Sequence, residues 1–119
     1  MKIHDVEQLS DEWFKLRELK VTASHAQAIA TAGKGLDTYI NEMLSEHYST
    51  AEKEHFSNEH TERGNELEDT ARQIYELENN IKVEEVGFIE YNDFTGCSPD
   101  GLIGKDEGLE IKCVKDTLY

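Results

Sequence analysis

Apolar residues along this chain recur first at helical spacing and then at every second position, and the period changes close to residue 80. Before that point, Ser10 reads as an N-cap. Asp11 and Glu12 fill a first turn in which acids offset free N–H groups, and Trp13, Leu16 and Arg17 follow at helical intervals. Val21-Thr22-Ala23-Ser24 interrupts this helix. Ser24 then caps a second one through Ala26, Ile29 and Ala30, which Gly33-Lys34-Gly35 stops. Leu36, Ile40, Met43, Leu44 and His47 stand at i, i+4, i+7, i+8 and i+11 and predict a third, amphipathic helix. Ser49 to His60 is polar without a period and reads as a loop. The strongest helical pattern runs from about Glu59 to Asn79, with Gly64, Leu67, Ala71, Ile74, Tyr75 and Glu78 on one face and Asn79-Asn80 as its closing turn.

Beyond residue 80 the period is two. Val83, Val86, Phe88, Ile89 and Tyr91 form one or two strands interrupted by Gly87, Asn92-Asp93 turns the chain, and Phe94 to Ser98 returns. Leu109, Ile111, Cys113 and Val114 mark a third strand. The expectation is an α/β fold, α+β-like in order, with N-terminal helices over residues 10–79 and a three-stranded sheet over 81–115, in one domain spanning 1–119.

In that third strand Glu110 and Lys112 share one face while Leu109, Ile111 and Cys113 share the other. Asp100 follows Pro99, which cannot donate to a ladder, and a Gly-containing hairpin leads from it to Glu110. Two acids and a lysine thus come within reach of one another. Such carboxylates suit a hard divalent cation, and the lysine suits orienting water or offsetting charge on a phosphate. Glu68 lies beside Leu67, Ala71 and Tyr75 on the long helix, where a carboxylate is costly unless it is paired, on metal, or at a boundary reaching water.

Charge complicates this picture. The net charge is −14, from 26 acids against 12 Lys and Arg, with the acids crowded between Glu46 and Glu85. Nucleic-acid binding ordinarily uses a basic face. Most of these acids read as a solvated helix face, and the same surface suits a module that binds a basic protein. No apolar run approaches the ~18 residues of a membrane span, and the N-terminus has no signal-peptide hydrophobic region, so a cytoplasmic protein is expected. Cys97 and Cys113 lack metal spacing and read as buried, reduced thiols. His47, His55 and His60 share no ligand spacing and read as solvated.

Three blocks carry a family resemblance: Trp13-x3-Arg17-x4-Thr22-Ala23-Ser24; Arg63-Gly64-x3-Glu68-x2-Ala71-Arg72-x2-Tyr75-Glu76; and Cys97-Ser98-Pro99-Asp100-Gly101 followed by Gly108-Leu109-Glu110-Ile111-Lys112-Cys113. The last resembles the core of the PD-(D/E)xK nucleases. All three in this order resemble the lambda exonuclease or YqaJ-type phage recombination exonucleases, over about residues 13–113.

The resemblance implies a restriction-endonuclease-like core and a metal-dependent exonuclease, phage- or host-encoded, that hydrolyses DNA from a duplex 5′ end and leaves a 3′ single strand for an annealing protein. It implies that Asp100 and Glu110 ligate Mg²⁺ (or Mn²⁺) with Glu68 completing the site and the Ile111 carbonyl in reach. Lys112 positions or activates water, and Arg17, Thr22 and Ser24 bind the 5′-phosphate. A ring of copies is implied by the family alone. The family continues into a further helix and strands, whereas this chain stops at Tyr119 and reads as a shortened form. The alternatives are a non-catalytic remnant or protein-binding module, and an endonuclease or resolvase on the same core, against which the Trp13 to Ser24 block argues.

Overall fold

The computed structural model describes residues 1–49 and 59–114, the side chains of 59–63 excepted. The elements are β1 (Lys2–His4), α1 (Asp11–Arg17), β2 (Val21–Thr22), a 3-10 turn (Ala23–His25), α2 (Ala26–Thr31), α3 (Lys34–Tyr48), α4 (Glu59–Asn79), β3 (Phe88–Asn92), β4 (Thr95–Cys97), β5 (Gly101–Ile103) and β6 (Glu107–Leu109). The mixed α/β class is as read. The strands, however, form a four-stranded sheet in the order β1-β3-β4-β2 and a two-stranded β5-β6 hairpin, where the sequence pattern gave a single three-stranded sheet. Two compact units result: Met1–Glu54 with Val86–Ser98, and His55–Glu85 with Pro99–Tyr119.

In the first unit Ser10 caps α1 as expected, its hydroxyl accepting from the Trp13 N–H at 3.3 Å. Trp13 is buried and its indole N–H donates to the Gly87 carbonyl at 3.0 Å and the Ser98 hydroxyl at 2.9 Å, which ties the helix to both ends of the β3-β4 segment. Phe88 is fully buried. Gly96 on the paired strand makes room for it, since a Cβ there would collide with the Phe88 ring. Gly87 interrupts the strand pattern for a similar reason: any side chain would strike the Val6 backbone. The Asn92-Asp93 turn is as read, with the Asn92 side-chain oxygen accepting from the Phe94 N–H and the Thr95 hydroxyl, both at 2.9 Å.

Two helix boundaries differ from expectation. α2 ends at Ala32 in the left-handed region, φ 49°, and Gly33 opens α3, so Gly33-Lys34-Gly35 starts a helix and does not stop one. On α3 the buried residue is Tyr39 with Leu36 and Met43 half-buried, while Ile40 and Leu44 are exposed. The Tyr39 ring, bonded through its hydroxyl, rotates the inward stripe away from the purely aliphatic one.

In the second unit, α4 has the predicted bounds and ends on Asn80 at φ 51°. The Ile81 N–H bonds back to the Glu76 carbonyl at 3.2 Å, the closure that a left-handed residue permits. The Glu76 carboxylate then accepts from the Val83 N–H at 3.3 Å, and Glu84 pairs with Leu102 of β5. Gly101 is required here because a Cβ would collide with buried Val83. The inward face of α4 differs from the hydrophobic reading: Gly64, Glu68, Ala71, Arg72, Tyr75 and Glu76 are the sheltered positions, whereas Leu67, Ile74 and Leu77 are exposed. The loop expected at 49–60 lies largely outside the described residues, as does His55. No helix among the described residues is long and apolar enough to cross a membrane.

Candidate active site

The carboxylate cluster is built within the second unit. The β5-β6 hairpin pairs Gly101 with Leu109, and a glycine at φ 62°, Gly104, turns it. The Asp100 N–H donates to the Leu109 carbonyl at 3.0 Å, and the Asp100 carboxylate accepts from the Ile111 N–H at 2.7 Å. The pairing that the sequence predicted between the Pro99-Asp100 and Glu110-Ile111-Lys112 segments is therefore made. The strand itself is shorter than expected: β6 ends at Leu109, so Glu110, Ile111 and Lys112 follow it. Once Asp100 takes the Ile111 N–H, that group is no longer available to a ladder. The alternation survives, with Leu109 and Ile111 half-buried, Glu110 and Lys112 exposed, and the Lys112 ammonium 2.7 Å from the Glu110 carboxylate.

Glu68 comes to this cluster from α4. Burial and the neighbouring Asp100 charge push its carboxyl above the ordinary range, against the smaller opposing effect of Arg72. Arg72 is buried. Its guanidinium lies 3.2 Å from Glu68, 2.8 Å from Asp69 and 2.7 Å from Glu85. Burial works to lower its pKa, and the Asp69 hydrogen bond together with the three acids outweighs that and raises it, while its Nε has no hydrogen-bond partner among the described residues. Sequence reasoning gave Arg72 no role, although its i+3 and i+4 spacing from Asp69 and Glu68 was legible. The Lys112 ammonium is likewise held above its usual range, first by its hydrogen bond to Glu110, and so stays protonated.

Hard carboxylate oxygens from Glu68 and Asp100, with the Asp100 charge raising the cost of ionising Glu68, are the donor chemistry that a divalent cation relieves. Among the described residues no three His, Cys, Asp or Glu side chains converge as a ligand group, since the Glu110 carboxylate is turned to Lys112.

A second cluster belongs to the first unit. Arg17 is half-buried. Its guanidinium stacks 4.1 Å from the Trp13 ring, an N–H reaches the Ser98 hydroxyl at 3.4 Å, and burial lowers its pKa. Ser24 is not an N-cap. It lies inside the 3-10 turn, and its hydroxyl is 3.1 Å from that of Thr22 and 3.2 Å from His25 Nδ1. Thr22 is buried, held through its N–H by the Tyr39 hydroxyl at 3.4 Å. Neither His25 nor Tyr39 stands in a ligand spacing that the sequence alone would reveal. Both cysteines are free thiols. Cys97 is half-buried, which raises its pKa, but Cys113, expected inside, is exposed because the strand ends before it.

Taken together these elements describe a mixed α/β chain with Asp100 fixed at the base of a hairpin and Glu68 within reach of its charge, and in the other unit Thr22 and Ser24 hydroxyls bonded to each other and Arg17 stacked on Trp13. Residues 12–119 match the YqaJ-like viral recombinase domain, and the chain belongs to that family. It is similar to an alkaline exonuclease (LHK-Exo) from Laribacter hongkongensis, with 33% identity and a TM-score of 0.76 over 92% of this chain and 56% of that one. A structure of LHK-Exo in complex with dAMP gives 36% identity and a TM-score of 0.77 over 92% and 55%. The chain thus spans little more than half the length of these structures. No curated protein matches it.

Proposed function

We propose that this chain carries the active-site half of a metal-dependent deoxyribonuclease that degrades duplex DNA from a 5′ end and leaves a 3′ strand for an annealing protein. The observation that carries the reading is the Asp100 carboxylate bonded to the Ile111 N–H, with Glu68 close enough to feel its charge. The similarity to an alkaline exonuclease supports it, as does the dAMP bound by that relative, a nucleotide of the class an exonuclease releases. Asp100, Glu110 and Glu68, with the Ile111 carbonyl, would hold Mg²⁺ or Mn²⁺, which when bound supplies Lewis acidity and an activated water. Lys112 positions or activates the water and offsets phosphate charge. Arg17, Thr22 and Ser24 take the terminal phosphate. Copies arranged as a ring complete this reading.

The test is nucleotide release from linear and circular duplex DNA with Mg²⁺. Release from linear DNA alone, abolished by Glu110→Gln, is the expected result, and cutting of circles would assign an endonuclease instead. Asp100→Asn abolishes Mg²⁺ binding in calorimetry. Arg17→Ala weakens use of 5′-phosphorylated ends more than of 5′-hydroxyl ends. A second reading, a non-catalytic binding module, is favoured by the charge of −14. Silence on both substrates with Mg²⁺ still bound would select it.

A further inference from the structure

His25 occupies a position that the reading above leaves without a task. Its ring lies parallel to that of Tyr39, 4.1 Å between centroids and 3° between planes. Tyr39 is itself buried, and its hydroxyl donates to the Lys20 carbonyl at 3.2 Å and accepts from the Thr22 N–H at 3.4 Å. The stack therefore fixes the imidazole, and Nδ1 comes to rest 3.3 Å from the Thr22 hydroxyl and 3.2 Å from the Ser24 hydroxyl, which are 3.1 Å from each other.

These three polar atoms form a relay that has two directions. Where Nδ1 carries no proton it accepts from Thr22 or Ser24, at 3.3 and 3.2 Å, the hydroxyl protons turn inward around the triangle, and exposed Ser24 is left with lone pairs outward. Where Nδ1 carries a proton it donates to Thr22, Thr22 donates to Ser24, and the Ser24 hydroxyl turns its own proton outward. Each bond polarises the next, so the two arrangements are distinct states and not a continuum. Thr22 is buried and passes the direction on. An anion meets lone pairs in the first state and a donor in the second.

Resting on the proposed terminal-phosphate site, we propose that His25 is a positioning residue for that phosphate: the Nδ1–H form of its ring turns the Thr22 and Ser24 hydroxyls into an outward-facing donor, so that bound phosphate favours that form. The phosphate is met by Ser24, and His25 acts through it.

The test uses the full chain with inorganic phosphate and with 5′-phosphorylated and 5′-hydroxyl duplexes. In the wild type, nitrogen resonances of the His25 ring shift to the Nδ1–H form as phosphate is added. His25→Phe keeps the stack on Tyr39 and removes Nδ1, so it folds as the wild type while binding phosphate about tenfold more weakly and losing the same factor in preference for 5′-phosphorylated ends. Retention of both by the Phe variant, or phosphate binding by the wild type without a change at Nδ1, overturns the role of His25 and leaves the phosphate site standing. Failure of the wild type itself to bind phosphate or to distinguish the two ends overturns both.

Discussion

The two compact units bury opposite kinds of side chain. Among the described residues, the unit carrying the hydroxyl cluster closes over Trp13, Tyr39, Phe88 and Ile89, whereas the unit carrying the carboxylates buries Val83 and the guanidinium of Arg72. Aromatic packing positions groups through many weak contacts that are indifferent to pH and salt. A buried cation fanned over three acids positions them by direction, and its strength follows the charge state of every partner. The unit to which the proposal assigns the metal is thus the one whose own architecture responds to charge.

The comparison breaks most visibly at Phe88. Phe88→Ala empties a fully buried site, and urea unfolding is expected to show a loss of about 3–5 kcal/mol that is the same in low and high salt. Arg72→Met removes the fan and leaves Glu68 unpaired, at a cost of about 1–3 kcal/mol that shrinks as salt is added. Equal salt dependence in the two variants would erase the distinction. Trp13→Phe loses the indole N–H bonds to Gly87 and Ser98 together with part of a buried ring and of its stack on Arg17, about 1–2 kcal/mol in the same assay.

Two glutamates sharpen the contrast further because their linkages have opposite sign. The His4 hydrogen bond holds the Glu90 carboxyl below its ordinary range. Its contribution is therefore present above the unfolded pKa and lost as pH falls through the folded one. Glu68 is raised, so its folded form holds the proton more tightly. The corresponding stability is full below the unfolded pKa and is lost as pH rises through the raised value. Melting curves across the acid range are expected to show Glu90→Gln less stable than wild type at neutral pH and equal to it in acid, and Glu68→Gln more stable at neutral pH. The smallest effect is at Lys112, whose ion pair with Glu110 is exposed: Lys112→Ala leaves the melting temperature unchanged while removing nuclease activity wherever the active protein shows it.

Much of this was legible in the sequence where a local signal carries it. Ser10 as a cap, the span of α4, the Asn92 turn and the hairpin from Asp100 to Glu110 each rest on residues adjacent in the chain. β1 and β2 were not legible. They have three and two residues, and their partners are distant, Lys2 with Glu90 and Val21 with Thr95. The inward face of α4 was misread because a hydrophobic stripe was taken to be the buried one. The block that carries the resemblance names the sheltered positions: Gly64, Glu68, Ala71, Arg72, Tyr75 and Glu76 belong to it, and they fall at helical spacing on one side. Ser24 was read as a cap because its type and place suit one, and only the position of His25 shows where its hydroxyl goes.

The sealed end of the β5-β6 hairpin has a practical consequence. Asp100 closes it twice, through its N–H to Leu109 and its carboxylate to Ile111, so the geometry of the acids is set at the base of the hairpin and not at its tip. The tip, Gly104 to Asp106, is exposed. Lengthening a loop even twofold costs only about 0.6 kcal/mol. An affinity peptide or a dye-bearing cysteine inserted between Lys105 and Asp106 would give an engineer a handle within nanometres of the chemistry without entering it.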